Sequence, residues 1–187
     1  MNIFTGGNLP LSKLSQPLSS VQIKSELPSG IPIHIYQDLK KYTSLDQVLG
    51  KKGAAVLLYP GESDHNGHWV TVFKNINEKG KPIVEFFDPY GEPPDAQKDG
   101  ISKNQLEKMR MEHPDLTRLL EESGCHVIFN KVQLQKLAND VQTCGRHAVC
   151  RLLYYKMPIQ KDRQMIQKSG MNPDEFVVTK TYNNLGK

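Results

Sequence analysis

Cys144 stands where a polar loop gives way to a predicted helix, in the run Thr143-Cys144-Gly145-Arg146. The N-terminus of a helix carries the positive end of the helix dipole and unpaired backbone N–H groups, which favour a nucleophilic thiolate. Gly145 removes side-chain bulk where a substrate carbonyl must approach, and a backbone N–H at this position could bind a tetrahedral oxyanion. Cys144 is therefore a candidate nucleophile, although a cysteine that opens a helix is more often a small buried residue.

His68 and Asp88 stand at the ends of two predicted strands. If these strands form a hairpin through the turn at residues 77–81, the two side chains lie opposite each other at one end of the sheet, within contact distance. A histidine can serve a cysteine as general base, and an aspartate bound to it fixes the imidazole tautomer. Each residue alone could be an ordinary polar strand end or a turn former. Three catalytic residue types, each at the end of an element, together favour nucleophilic catalysis.

A metal site is the alternative interpretation of the cysteines. Cys144, His147 and Cys150 recur at every third position, with Cys125 and His126 upstream. On one continuous helix this spacing spreads the outer two side chains about 120° apart, and it matches no zinc-finger or zinc-ribbon pattern. We therefore expect no metal ion and no cofactor. Cys125 and Cys150 have apolar neighbours and are predicted to be core thiols.

The elements that would position these residues are short and mixed in type. Strand-like and helix-like apolar patterns predict strands at 54–59, 69–73, 83–87 and 126–135, and helices at 103–123 with a break near Pro114, at 144–156, and, as the last element, at 160–169. Ser44 with Gln47 has the form of a capping box for a further short helix. The pattern predicts an α+β fold, with a small mixed or antiparallel central sheet flanked by helices.

The composition is that of one compact domain. The chain has 187 residues, of which 37% are hydrophobic, and three cysteines, so it is not a disulfide-stapled mini-protein. We treat residues 1–187 as a single domain in which residues 1–42 form an N-terminal arm on the core. No apolar run approaches the roughly 18–20 residues of a membrane span, and residues 1–7 lack a secretory pattern. The net charge of +4 does not by itself indicate a nucleic-acid binder.

These motifs together resemble a known family of cysteine proteases. Gly67-His68-Trp69, then the Asp-Pro-Tyr-Gly turn at residues 88–91, then the Thr-Cys-Gly-Arg run at 143–146 follow the order His, Asp, Cys. This order is similar to that of the adenovirus-protease-like branch, whose fold is shared by the SUMO-deconjugating ubiquitin-like proteases, and it excludes papain. The motifs look most like the versions in large DNA viruses, virophages and polinton-type elements. The matching core spans about residues 44–156.

The resemblance implies a Cys144–His68 thiolate–imidazolium pair supported by Asp88, in a cysteine-protease fold with the catalytic cysteine at a helix N-terminus. It also implies hydrolysis of peptide bonds through an acyl-enzyme.

A glutamine before the cysteine donates its amide to the oxyanion in that family. Here the usual interval of six or seven residues falls on Ala138 or Leu137, so the register departs from the pattern. Gln135 stands at the end of the predicted fourth strand, as the family's glutamine does, with a longer loop behind it. Gln142 is nearer in sequence but lies on the wrong side of that loop. The resemblance therefore favours Gln135.

The resemblance further implies an endopeptidase that cleaves after glycine, at Gly-Gly or Gly-X sites, in viral capsid and virion precursor proteins during maturation. A narrow cleft would explain this preference, with Trp69 as its wall and Gly145 beside the substrate. We expect such an enzyme in the virion and in the host cell interior, in the cytoplasm or virus factory, and not secreted. Gly6-Gly7 has the look of a self-cleavage site, but an ordinary flexible terminus is the favoured interpretation, because glycine is common near chain ends.

Two other functions stay open. A deconjugase that releases a ubiquitin-like modifier would use the same residues but needs a broad surface for the folded modifier. An inactive relative could instead act as a capsid-associated or DNA-associated binding protein. A weak basic surface could support weak DNA association or be a solvated helix face, and its residues are Lys156, Lys161, Arg163 and Lys168. We expect no membrane partner.

Overall fold

A five-stranded mixed sheet with helices on both faces forms the body of the protein. The computed structural model describes residues 11–61, 67–77 and 79–185. The strands are β1 (Ile33–Ile35), β2 (Ala54–Pro60), β3 (Gly67–Ile76), β4 (Pro82–Phe87) and β5 (His126–Phe129). The helices are α1 (Ser20–Glu26), α2 (Leu45–Leu49), α3 (Lys103–Lys108), α4 (Asp115–Glu122), α5 (Cys144–Leu153), α6 (Ile159–Ser169) and α7 (Pro173–Leu185). The predicted α+β class is confirmed.

The strand order in the sheet is the chain order, β1-β2-β3-β4-β5. β2, β3 and β4 form an antiparallel meander, and β1 and β5 add to its two edges in parallel. The predicted hairpin between β3 and β4 is present, and its turn is closed by a hydrogen bond from Asn77 N to Lys81 O of 2.9 Å. The three predicted central strands are therefore confirmed.

Two apolar layers cover the two faces of the sheet. Because side chains alternate along a strand, Ala54 and Val56 of β2 pack with α1, α5, α6 and α7, whereas Ala55 and Leu57 pack with α2, α4 and the 3-10 helix Tyr36–Lys41. The helix that begins at Cys144 therefore lies on one face, with its N-terminus at one end of the sheet. Among the helices of the described residues, none is both long and apolar enough to cross a bilayer.

Residues 11–42 contribute both a covering segment and a strand. Leu18 and Ile23 are buried in the layer that contains α5, and Ser19 caps α1 through a capping box with Gln22. β1 then joins the sheet beside β2. Gly6-Gly7, the candidate self-cleavage site, lies outside the described residues.

Three predictions of local structure are wrong. The fourth strand ends at Phe129 and not near Gln135, because the Asn130 side chain binds the backbone of Asp88 and the chain turns away from the sheet. Ser44 makes no side-chain cap, since Gln47 Oε1 accepts from Thr43 N instead. The predicted helix at 160–169 corresponds to α6, but it is not the last element, because α7 follows it.

The start of α7 does carry sequence signals. Asn172 Oδ1 accepts from Glu175 N at 2.9 Å, which makes Asn172 the N-cap, and Pro173 occupies the first helical position. Asp174 and Glu175 then place two acidic residues in the first turn, where the helix dipole favours them.

Candidate active site

The β3–β4 hairpin brings His68 and Asp88 together. The register pairs Thr71 with Phe87, so the position opposite Asp88 is Val70, and His68 is the diagonal neighbour on the same face. His68 Nε2 donates to Asp88 Oδ1 at 2.9 Å, and both side chains are buried. The predicted contact is therefore present, made diagonally rather than directly across the ladder.

Asp88 forms further hydrogen bonds through both carboxylate oxygens and through its backbone. Its Oδ1 also accepts from Tyr90 N at 2.7 Å, and its Oδ2 accepts from Gln97 Nε2 at 2.8 Å. The Asn130 amide binds the Asp88 backbone twice, accepting from its N–H at 3.0 Å and donating to its carbonyl at 2.7 Å. The carboxylate is thus fixed by the connection that follows β4, and the Asp88 backbone is fixed by the loop after β5.

Cys144 is the first residue of α5 and is only 4% exposed. The sulfur of Cys144 acts on His68 electrostatically, as does the Asp88 carboxylate. Burial lowers the pKa of His68, but the hydrogen bonds to Asp88 and Cys144, together with their negative charges, raise it to about 9. The structure therefore brings Cys144, His68 and Asp88 into one connected group in which a charged imidazolium is favoured.

Tyr90 lies flat against the His68 ring and connects it to Gln135. The two rings stack with centroids 4.7 Å apart and an interplanar angle of 17°. Burial raises the pKa of Tyr90 to about 12, with further contributions from the charges of Cys144 and Asp88. The phenol therefore stays neutral and can accept a hydrogen bond beside the thiol.

Gln135 reaches this group from the loop after β5. Its Nε2 donates to Tyr90 Oη at 3.0 Å and to Val141 O at 3.2 Å, and its buried Oε1 has no partner. Both amide protons are therefore bound, and one of these bonds must be exchanged before the amide can donate to an oxyanion. The backbone of Gln142 binds the N-terminal segment, since its N–H donates to Leu14 O at 2.6 Å.

Trp69 and Gly145 meet the N-terminal segment next to Cys144. Trp69 is buried, and its Nε1 donates to Leu18 O at 3.1 Å. A Cβ added to Gly145 would lie 3.1 Å from Leu18 Cβ and 3.2 Å from Trp69 Cδ1, so the missing side chain is what allows this close packing. Beside it runs a groove of about 780 Å³ between the N-terminal segment and the sheet, and its lining includes Leu18, Gly67 and Trp69.

The remaining cysteines differ from each other. Cys150 is buried in the core, where burial raises its pKa to about 12, which confirms the core prediction for this thiol. Cys125 is exposed, so its assignment to the core is wrong; it follows the left-handed turn at Gly124 and precedes an edge strand. Among the residues that the structure describes, no three His, Cys, Asp or Glu side chains are arranged to hold a metal ion.

Comparison with known proteins finds a viral relative. No known protein-family profile matches the chain. It is 34% identical over 164 residues to "Uncharacterized protein V9" of Sputnik virophage, across 86% of this chain and 91% of the relative. The chain belongs to the V9 family. Among solved structures, it is similar to the central domain of an uncharacterized Legionella pneumophila protein, with a TM-score of 0.44 and 13% identity over 90% of this chain and 97% of that one.

Sequence reasoning missed the residues that support the site in this member of the V9 family. Gln97 and Asn130 hold Asp88, and neither carries a local signal, because Gln97 folds back from the 3-10 helix Ala96–Lys98 and Asn130 reaches Asp88 from the loop after β5. His147 and Asp174 form a second buried histidine–aspartate contact of 3.1 Å, one helical turn from Cys144. Of these, only Asp174 had a detectable signal, as an acidic residue in the first turn of a helix.

The last position of the Asp-Pro-Tyr-Gly turn, Gly91, requires a glycine in this V9 family member. Its φ is +81°, and an added Cβ would lie 2.8 Å from the Val132 carbonyl carbon, in the loop that leads to Gln135. We expect Gly91→Ala to lower the free energy of unfolding by more than about 2 kcal/mol, because strain and a backbone clash add together. Urea unfolding measures this.

Gly80→Ala is the matched control, since Gly80 has a similar φ of +75° but open space around the position of a Cβ. It should cost only about 1 kcal/mol, the left-handed strain alone. Equal costs for the two variants would contradict the clash.

The raised pKa of His68 predicts a pH-dependent stability. Because the folded pKa of about 9 exceeds the ordinary value of 6.5, the folded state binds the proton more tightly, and this stabilisation is complete below about pH 6.5. It is lost as the pH rises through 9, by on the order of 3 kcal/mol. The measurement is the difference in free energy of unfolding between wild type and His68→Gln at several pH values from 6 to 10. A difference that stays constant over this range would refute the prediction.

Proposed function

We propose that this V9 family member is a cysteine endopeptidase of the adenovirus-protease-like type. The single observation that carries the proposal is the connected group of Cys144, His68 and Asp88, built where three different elements end. A buried imidazole held between a carboxylate and a thiol at a helix N-terminus is the arrangement that nucleophilic catalysis requires. A purely structural role would not need all three groups in contact.

The proposed reaction proceeds by acyl transfer. The Cys144 thiolate attacks the scissile carbonyl carbon, and first-turn backbone N–H groups of α5 stabilise the tetrahedral oxyanion, aided by the Gln135 amide once it exchanges a bond. The His68 imidazolium then protonates the departing amine, and the C–N bond breaks to leave a thioester. Neutral His68 next takes a proton from water, which attacks the thioester; the C–S bond breaks, the acid product is released, and the Cys144 thiolate and His68 imidazolium are regenerated. Asp88 holds the imidazole in place throughout.

The surroundings of the dyad support a preference for glycine before the scissile bond. Cys144 is buried, and its neighbour Gly145 packs so closely against Leu18 and Trp69 that a Cβ there would lie 3.1 and 3.2 Å from them, which leaves little room beside the thiol. A residue without a side chain would approach the thiol most easily. Cleavage at Gly-Gly or Gly-X sites is therefore the proposed specificity.

The virophage relative supports a viral setting. We propose virion precursor proteins as substrates, with the enzyme acting in the host cell interior or in the virion. Weak association with DNA is part of this proposal, since three of the four basic residues named above, Lys156, Lys161 and Lys168, are exposed.

A covalent probe tests the proposal directly. A short peptide that ends in Gly-Gly with a vinyl sulfone in place of the scissile carbonyl should add one mass equivalent to the full chain, and peptide mapping should place it on Cys144 and not on the exposed Cys125. Turnover of a Gly-Gly peptide should then be compared with turnover of a ubiquitin-like conjugate. Faster release of the modifier would favour a deconjugase. The absence of both labelling and turnover would contradict the assignment as an enzyme.

A further inference from the structure

Asp174, the second residue of α7, gathers three hydrogen bonds on one buried carboxylate. Its Oδ1 accepts from the Thr143 hydroxyl and from His147 Nε2, the latter at 3.1 Å. Its Oδ2 accepts from Lys136 N at 3.0 Å. Burial raises the pKa of Asp174, but the bonds from His147, Thr143 and Lys136 outweigh this and hold it below its ordinary value. The carboxylate is therefore ionised at neutral pH.

The three partners of Asp174 flank two groups of the proposed reaction. Thr143 immediately precedes the nucleophile Cys144, and His147 lies one helical turn after it. Lys136 immediately follows Gln135, the proposed oxyanion donor. One carboxylate thus binds the start of the nucleophile helix and the loop that carries the amide.

Besides Asp174, these two parts of the chain are joined by the bond from Gln135 Nε2 to Val141 O at 3.2 Å. β5 ends at Phe129, and no helix or strand covers residues 130–143. The backbone of Gln135 is anchored on the other side, where its N–H donates to Pro89 O at 3.0 Å. Asp174 adds the link to α5 itself, through the side chain of His147, whereas the other contacts hold the loop to the turn after β4 and to Val141.

Thr143 would ordinarily cap the helix that it precedes. Here its hydroxyl binds Asp174, and it makes no side-chain capping bond to α5. The first-turn N–H groups of α5 are therefore not taken by their N-cap side chain, which leaves them free to act on an oxyanion.

We propose that Asp174 is a positioning residue that holds the Cys144 end of α5 and the Gln135 loop at the separation acyl transfer requires. This inference rests on the proposed function. A misplacement of about 1 Å in such a site can lower a rate about 100-fold, whereas attack of the thiolate on a small alkylating reagent needs no oxyanion site. Loss of Asp174 should therefore slow peptide hydrolysis without slowing alkylation of Cys144.

The test is Asp174→Asn in the full chain. We expect kcat on a Gly-Gly peptide to fall about 10- to 100-fold, with KM within about twofold of wild type. The rate of Cys144 alkylation by iodoacetamide, followed by peptide mapping, should not fall. Asp115→Asn is the matched control, because Asp115 is also a buried acid in the first turn of a helix but binds Arg118 away from the site. It should leave kcat unchanged.

Thr143→Val provides a second variant that keeps the shape of the side chain, and it carries the test if Asp174→Asn does not fold. It should lower kcat in the same way, and Thr143→Ser, which restores the hydroxyl, should recover most of the loss. A kcat of Asp174→Asn within twofold of wild type would overturn the inference, as would an equal fall in kcat and alkylation rate. An inactive wild type whose Cys144 reacts with no electrophile would instead overturn the proposed function.

Discussion

Cys144→Ala is expected to lower kcat on a Gly-Gly peptide by about 10⁴-fold or more, while the protein stays folded. The reason is that the acyl-enzyme route needs the thiolate itself, and the rest of the site can offer water only weak assistance. The sulfur is buried but small, so its removal should cost little stability. Steady-state turnover measures the activity, and urea unfolding verifies that the variant is folded.

Cys150→Ala is the matched control for this experiment. Cys150 lies in the same helix and is equally buried, but it packs in the apolar core and not against His68. It should retain wild-type turnover with a modest loss of stability. If Cys144→Ala kept more than about a tenth of wild-type activity, the nucleophile would be a different group and a binding role for the protein would gain support.

Arg151→Met is expected to cost about 3–5 kcal/mol of unfolding free energy, the largest stability effect that we predict. Arg151 lies on α5 and forms a fully buried two-point ion pair with Glu85 of β4, with N–O distances of 2.7 and 2.8 Å. It also donates to the carbonyls of Tyr154 and Met157. The substitution leaves an uncompensated carboxylate and two unpaired carbonyls in the interior.

Two further variants make this prediction specific. Arg118→Met removes a partly exposed arginine from Asp115, Glu122 and the Tyr42 carbonyl, and should cost only about 1–2 kcal/mol because solvent reaches these pairs. The double variant Glu85→Met with Arg151→Met should recover much of the loss, because no buried charge remains unpaired. Urea unfolding gives all the values, and equal costs for Arg151→Met and Arg118→Met would show that the burial of the pair is unimportant.

The contact between His68 and Asp88 could be predicted because it depends on one hairpin. The turn at 77–81 is short, so the register of β3 and β4 leaves the two side chains at the same end of the sheet whichever way the rest of the chain folds. The position of Cys144 at a helix start could be predicted for a similar reason, since the signals are local. The three-residue group itself also needs α5 to dock on the sheet, and periodicity alone does not specify that docking.

The supporting contacts could not be predicted, because they join loops that are distant in sequence. Asn130 was expected to lie inside a strand, yet its amide binds the backbone of Asp88 and ends that strand. Cys125 has apolar neighbours in sequence but stands at a turn before an edge strand, where it is exposed. The start of a helix at Pro173 could be predicted from its N-cap residue. The three hydrogen-bond partners of Asp174 could not be predicted, because each contact depends on tertiary packing.

The order of the strands has a consequence for partly opened states of the protein. His68 and Asp88 belong to the central meander, whereas Cys144 meets them only because α5, itself packed against α7, lies across one face of the sheet. Local opening costs less free energy than global unfolding and tends to release whole elements. Detachment of these helices would leave the imidazole and carboxylate paired but would separate them from the sulfur. Catalytic turnover would then be lost before the sheet unfolds. The loss of turnover would therefore detect the detachment of these helices at milder conditions than a measurement of secondary structure.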